Sequence, residues 1–162
     1  MADDIHRFEQ IARIAHRFST RQAGEEAQLH PFDQRDIYSG LPSKVRQLFD
    51  DGHFPQATFE AFKFLDKWVQ KNSGSRESGR KLMMAVFDSA RPGLRLNPLT
   101  TESEVDEQEG FRFIFSGAVM AIRNPRGHEI AVADDLSTCL DHLAFASMLI
   151  RRLESAGYTK KP

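Results

Sequence analysis

Residues 107–129 read EQEGFRFIFSGAVMAIRNPRGHE, and this stretch decides the fold class. Phe111, Ile114, Phe115, Ala118, Val119 and Ile122 recur at three- and four-residue spacing, the period of an α-helix with one inward face. That spacing predicts a helix from about Glu107 to Ile122. The pattern then stops at Arg123-Asn124-Pro125-Arg126-Gly127-His128. Pro125 disfavours helix at Asn124, and Gly127 permits a tight turn. On an unbroken helix Arg123 and His128 would stand about 140° apart. A bend before Pro125 is therefore expected to bring His128 back towards Arg123, so that two basic groups share one concave corner.

The same period recurs on both sides of this stretch. From Ile5 to about Gln22 the apolar positions Ile5, Phe8, Ile11, Ala12, Ala15 and Phe18 line one face, while Arg13, Arg17 and Arg21 fall on another. After a break at His30-Pro31, a short turn or helix is expected near Asp33–Tyr38. Leu41-Pro42-Ser43 reads as a helix start, with Val45, Leu48 and Phe49 on one face and Gly52 as its end. A further helix starts near Pro55, which suits a first helical position. Phe59, Phe62, Leu65 and Val69 form its apolar face, and Gln56, Glu60, Lys63, Lys67 and Gln70 its polar one. The run from Gly79 to Ala90 repeats the pattern with Leu82, Met83, Val86 and Phe87. Residues 91–106 carry Pro92, Gly93, Pro98 and a cluster of acids, and are expected to form the longest exposed loop. A last helix is expected from about Asp135 to Ser155, with Leu136, Leu140, Leu143, Ser147 and Ile150 in register. Strand-like alternation is nowhere sustained, so the chain reads as all-α.

Composition bounds the function. The 162 residues, 40 % hydrophobic and 28 % charged, suit one domain, or one domain with a helical extension. That length buries a core without disulfides or metal. No apolar run approaches the roughly 20 residues of a membrane span. Met1-Ala2-Asp3-Asp4 is acidic, unlike a secretion signal. Cys139 is the one cysteine, which excludes an internal disulfide, points to a reducing, cytoplasmic setting and leaves no Cys/His zinc cage. Lys and Arg total 22 against 23 for Asp and Glu, so any nucleic-acid contact must come from a local patch.

Arg123 and His128 are suited to phosphodiester cleavage without a metal or cofactor. Arg grips phosphate oxygens with a planar fork. His changes charge near neutral pH and can take the proton of a ribose 2′-hydroxyl. A second His is needed as acid for the leaving 5′-oxygen, and a two-fold dimer would supply it. The bland alternative is a helix C-terminus carrying favourable cations, with Asn124 as a turn former. Arg112 and Ser116 fall near the azimuth of Arg123 and would extend a phosphate site, or else belong to a solvated stripe. Arg126 is expected to contact RNA. The Arg13, Arg17 and Arg21 stripe would hold RNA backbone or simply face water. Glu60 and Lys63 approach the site or stay on the surface. His30 and His53 read as turn or capping residues, His142 as structural, and Cys139 as a small hydrophobe. Glu102, Glu104, Asp106, Glu107 and Glu109 read as a solvated loop and helix-start charges, or as phosphate mimics over a basic corner.

Arg123-Asn124-x-x-x-His128 resembles the signature of the HEPN superfamily (higher eukaryotes and prokaryotes nucleotide-binding). The wider context is similar to one HEPN-like family, the Ymh-type conserved hypothetical proteins of phage, plasmid and restriction-locus neighbourhoods. The resemblance runs through His30-Pro31, Gly52-His53-Phe54, Glu60-Ala61-Phe62-Lys63, Leu82-Met83 with Phe87, and Phe115-x-Gly117-Ala118 leading into the motif. It implies a four- to five-helix bundle over residues 30–156; the extra amphipathic helix in residues 1–24 and a tail, 157–162, expected to be disordered, lie outside the resemblance. It implies a homodimer joined through residues 123–128. It also implies metal-independent RNA cleavage to 2′,3′-cyclic phosphate and 5′-hydroxyl ends, in phage defence or a toxin–antitoxin-like system with an inhibitory partner protein. Arg123 and His128 would be the catalytic pair and Asn124 the residue that orients them. HEPN toxins silenced by a nucleotidyltransferase usually carry Tyr two residues after the motif His, where this chain has Ile130. Members of the superfamily that bind without cleaving make the alternative a helical module for RNA or a partner protein. A plain dimerisation domain is the third class.

Overall fold

Helix-forming spacing accounts for nearly everything in the computed structural model, which describes residues 29–128 and 132–159. The expected N-terminal helix with its arginine stripe, Ile130 and the last three residues of the tail lie outside the described residues. The chain divides into two units, Met1–Gln34 and Arg35–Pro162. In the first, one helical turn, Pro31–Gln34, follows His30. The His30 Nδ1 accepts the Phe32 N–H at 3.1 Å, the turn-forming role expected of it.

The second unit contains α1 (Ser43–Asp50), α2 (Phe54–Ser73), α3 (Gly79–Val86), α4 (Glu102–Ala118), a π-helical segment (Val119–Arg123), α5 (Asn124–His128) and α6 (Leu136–Ser155). No strand occurs among the described residues, so the all-α reading holds. None of these helices is long and apolar enough to cross a membrane.

α2 is the central element. Pro55 sits in its first turn, and Gly74, at φ 68°, ends it in the left-handed conformation. Its Ala57, Ala61, Phe62, Leu65 and Val69 are fully buried. α1, α3, α5, α6 and the π-helical segment all pack on it. Its buried Asp66 accepts the Gly79 N–H at 2.7 Å and so fixes the start of α3. α6 lies along α2, starting at Asp135, whose side chain accepts the Thr138 N–H at 2.7 Å. Leu140, Leu143, Ser147 and Ile150 of α6 are buried as expected, whereas Leu136 is exposed.

Three boundaries differ from the sequence reading. α3 stops at Val86, four residues early. The stretch 91–106 is not an exposed loop throughout. Leu94 and Leu96 are buried, and the buried Gln108 amide accepts the Leu96 N–H at 2.9 Å and donates to the carbonyls of Phe87 (3.1 Å) and Leu94 (2.9 Å). α4 begins at Glu102, because Thr101 and Glu104 form a reciprocal capping box. Within α4 and the segment after it, Phe115, Ala118 and Val119 are buried as expected, but Ile114 is 40 % exposed and Phe111 and Ile122 are only half-buried. Phe115 stacks on Phe87 with ring centroids 4.5 Å apart.

Candidate functional site

The chain does not bend before Pro125. The turn widens over Val119–Arg123, where the Asn124 N–H reaches back to the Val119 carbonyl, and the helix continues through Pro125 to His128. A proline inside a regular helix removes one hydrogen bond and clashes with the carbonyl four residues back. Here it follows directly on a π-type turn, whose ladder is already displaced. Asn124 keeps helical angles, φ −65° and ψ −45°. With the helix continuous, Arg123 and His128 remain about 140° apart around its axis, and the single concave corner expected for them does not form within one helix.

Arg123 is half-buried, and its guanidinium lies 5.4 Å from the centroid of the Phe59 ring on α2. One terminal nitrogen donates to Asn124 Oδ1 at 3.3 Å, and the buried Nε has no hydrogen-bond partner among the described residues. Lys63 Nζ stands 5.9 Å from the same ring. Glu60 accepts from Lys44 at 3.0 Å and from Lys63 at 3.5 Å. Burial pushes the Glu60 carboxyl upward, but Lys44 and Lys63 together outweigh it and hold it below its usual range. Gly127 is where α5 meets the same ring, since a Cβ there would lie 2.7 Å from Phe59 Cε2. A side chain at 127 would force the Phe59 ring to shift. His128 is exposed at the end of α5. Phe59 thus gathers Arg123, Lys63 and the Gly127 backbone into one surface cluster.

The other expected contacts are placed elsewhere. Arg126 was expected to reach RNA, but its side chain is 8 % exposed and paired with Asp134, itself 3 % exposed, through bonds of 2.6 and 2.5 Å. It also donates to the Ile122 carbonyl at 2.7 Å. Arg112 is taken up by the Met84 carbonyl (2.9 Å), Asp88 (2.9 Å) and Glu109 (3.0 Å), and so fastens α4 to the end of α3. Ser116 is inside the bundle, 4 % exposed. The shared azimuth expected for residues 112, 116 and 123 assumed 3.6 residues per turn, and the wider π-helical turn cancels it.

The sequence pattern of one family, described as a protein of unknown function (Hypoth_ymh), matches residues 36–153. The chain belongs to the Hypoth_ymh family. The match takes in α1 to α5 and nearly all of α6, including Arg123–His128, while His30-Pro31 falls outside it. No curated protein and no solved structure matches the chain.

Two residues that organise this Hypoth_ymh site escaped the sequence. Phe59 was legible as an apolar position, but its role as a platform depends on Gly127. Asp134 gave no local signal, since its partner Arg126 lies eight residues back. Behind this pair, His142 Nδ1 is 3.3 Å from Arg126 Nη2, the structural role expected. Burial, then the Arg126 charge, pushes the His142 imidazole below its ordinary pKa. Cys139 is buried, as expected of a small hydrophobe, and burial raises its thiol to about 11. Among the described residues no group of three or more His, Cys, Asp or Glu is gathered to hold a metal ion.

Proposed function

We propose that this protein is a metal-independent endoribonuclease of HEPN type, acting in phage defence or a toxin–antitoxin-like system under an inhibitory partner. The observation that carries the proposal is the state of Arg123. Its guanidinium rests on Phe59 beside Lys63, its Nε has no partner among the described residues, and an exposed His128 follows five residues on. A phosphodiester would find there an undiminished planar cation and a proton acceptor. His128 takes the proton of the ribose 2′-hydroxyl, and that oxygen attacks the adjacent phosphorus. The bond to the 5′-oxygen breaks, and this oxygen takes a proton from water. Arg123 stabilises the charge on the equatorial oxygens. The products carry 2′,3′-cyclic phosphate and 5′-hydroxyl ends. The resemblance assigns the acid instead to the His128 of a second copy joined through residues 123–128.

The test is RNA cleavage in EDTA by wild type, His128→Ala and Arg123→Gln, with an assay for cyclic phosphate ends. Cleavage should survive EDTA and fall by about 10²–10⁴-fold in His128→Ala. Equal activity of wild type and His128→Ala on total RNA, tRNA and structured loops overturns the proposal. One observation favours a second reading, a module that binds RNA or a partner protein without cutting. The continuous helix holds Arg123 and His128 about 140° apart, so one phosphate meets both only after a movement. A gel shift lost in Arg123→Gln, with no cleavage by wild type, is the outcome that selects it.

A further inference from the structure

Phe59 is the first member of a longer stripe on α2. Phe59, Lys63, Asp66 and Gln70 recur at three- and four-residue spacing and share one side of the helix. Each is placed by a contact. Phe59 meets Arg123 and the Gly127 backbone, and Lys63 Nζ stands 5.9 Å from the Phe59 ring. Asp66 accepts the Gly79 N–H at 2.7 Å, and a Cβ at Gly79 would lie 3.8 Å from Val119 Cγ1, one π-type turn before Arg123. Gln70 donates to the carbonyls of Arg76 and Glu77 at 3.5 and 2.8 Å. The start of α3 is therefore pinned beside the stripe, and its exposed Arg80 and Arg76 extend a file of cations that begins at Arg123 and Lys63.

This file is short of counter-charge. Arg76 and Arg80 have no carboxylate partner among the described residues, and Lys67 has only the side-chain oxygen of Gln70, at 2.8 Å. Three carboxylates lie along it. Glu60 is divided between Lys44 and Lys63, Asp66 is 2 % exposed and turned to the Gly79 N–H, and Glu77 alone is free in solvent. Six cations, counting Lys44, thus face three carboxylates in a chain whose net charge is −1. Measured along α2 from Phe59, Lys63 lies about 6 Å away, Asp66 about 10 Å and Gln70 about 17 Å. The cations stand in single file, which fits the phosphates of one extended strand. A duplex presents its phosphates in two rows across a groove. Phe59 is already covered by Arg123 and the Gly127 backbone, so it offers no open ring for a base, and contacts are to the backbone.

We infer that Lys63, Lys67, Arg80 and Arg76 form a phosphate track for single-stranded RNA, running from Arg123 along α2 to the start of α3. The inference rests on the RNA reading of Arg123 and adds where the strand lies beyond the reacting phosphate, over about three nucleotides. Binding along the track is indifferent to sequence and weakens with salt, because it is made of phosphate contacts.

The test uses the full chain and a fluorescent single-stranded RNA of mixed sequence, 2′-O-methylated throughout. Without 2′-hydroxyls this probe cannot be cut, so its binding is read apart from cleavage. Anisotropy titrations over a range of salt give the slope of log Kd against log salt. Arg76→Gln/Arg80→Gln should lower that slope by about 1.4, or about 0.7 per lost contact, and raise Kd about 25-fold at 0.1 M salt. Circular dichroism should not change, since both positions are exposed. Lys81→Gln is the control. Lys81 is also exposed and unpaired among the described residues, but points about 100° away from Arg80 around α3, and its loss should leave the slope as in wild type. A wild type that does not bind the probe overturns the inference. So does an equal effect of Lys81→Gln and Arg80→Gln, or tighter binding of duplex RNA or of poly-glutamate than of the single strand. Binding with the expected slopes but no cleavage of unmodified RNA defeats the ribonuclease reading alone. Cleavage that depends on His128, with the wild-type slope kept in Arg76→Gln/Arg80→Gln, defeats the track alone.

Discussion

Asp134→Ala should be among the most damaging single changes in the second unit. It removes the carboxylate that accepts from Nε and Nη2 of Arg126 at 2.6 and 2.5 Å. The two side chains are 8 % and 3 % exposed, so neither is screened by solvent in the way a surface pair is. Removing one partner of a buried ion pair costs about 3–5 kcal/mol, because the other charge stays behind uncompensated. Arg126 would keep the Ile122 carbonyl at 2.7 Å and the His142 ring at 3.3 Å, which places the expected loss near the lower bound, about 3 kcal/mol. Urea unfolding followed by circular dichroism reads this directly. With a slope of about 2 kcal/mol per molar, the midpoint should fall by about 1.5 M. The double variant Arg126→Met/Asp134→Leu should sit within about 1 kcal/mol of wild type, since apolar residues of similar volume replace such pairs without penalty. A loss below about 1 kcal/mol in Asp134→Ala would refute the reasoning, because Arg126 would then be finding water in the variant.

The remaining predictions concern His142 and Gln108. His142 titrates below its ordinary value of 6.5 in the folded chain, so the unfolded chain binds its proton first as pH falls. Its contribution is therefore complete above about pH 6.5 and is lost as pH falls below it, and His142→Asn should flatten the fall of the urea midpoint on the acid side of pH 6.5. Parallel slopes in the two proteins would show that His142 is not the titrating group. Gln108→Leu leaves the Leu96 N–H and the Phe87 and Leu94 carbonyls without their partner, at a cost of at least about 2 kcal/mol. Amide exchange at Leu96 should accelerate, and unchanged protection there would mean the clamp is idle.

What the sequence disclosed depended on the kind of interaction. α2 was legible because one apolar face is bracketed by Pro55 and Gly74, both local signals. The start of α4 was just as local, since Thr101 and Glu104 make a capping box. It was missed because Glu102, Glu104 and Asp106 read as the end of a solvated loop, with the helix starting only at Glu107. Which side of α4 meets the core was not recoverable. Periodicity gives a spacing, and Phe113 and Ile114 satisfy it as well as Phe115 does. The π-helical segment leaves no mark in composition, so Pro125 pointed to a helix end that the widened turn makes unnecessary. Arg123, His128 and Asn124 were named from a linear motif. That Phe59 collects Arg123 while Arg126 turns inward to Asp134 is a tertiary outcome.

The two arginines three residues apart separate support from chemistry. Arg126 is neutralised by a buried carboxylate, and a guanidinium so paired has little left to offer a phosphate. Arg123 has no carboxylate partner in the described residues. It has an aromatic face, which holds a cation for about 0.5–2 kcal/mol without cancelling its charge. Its buried, unpaired Nε is itself a cost of about 1–3 kcal/mol, which an anion reaching it would relieve. The π-type turn makes this division possible. By displacing the ladder ahead of Pro125 it lets the helix run on, so Gly127 closes on Phe59 while Arg126 faces Asp134. A regular α-helix broken at Pro125 would free both arginines and fix neither.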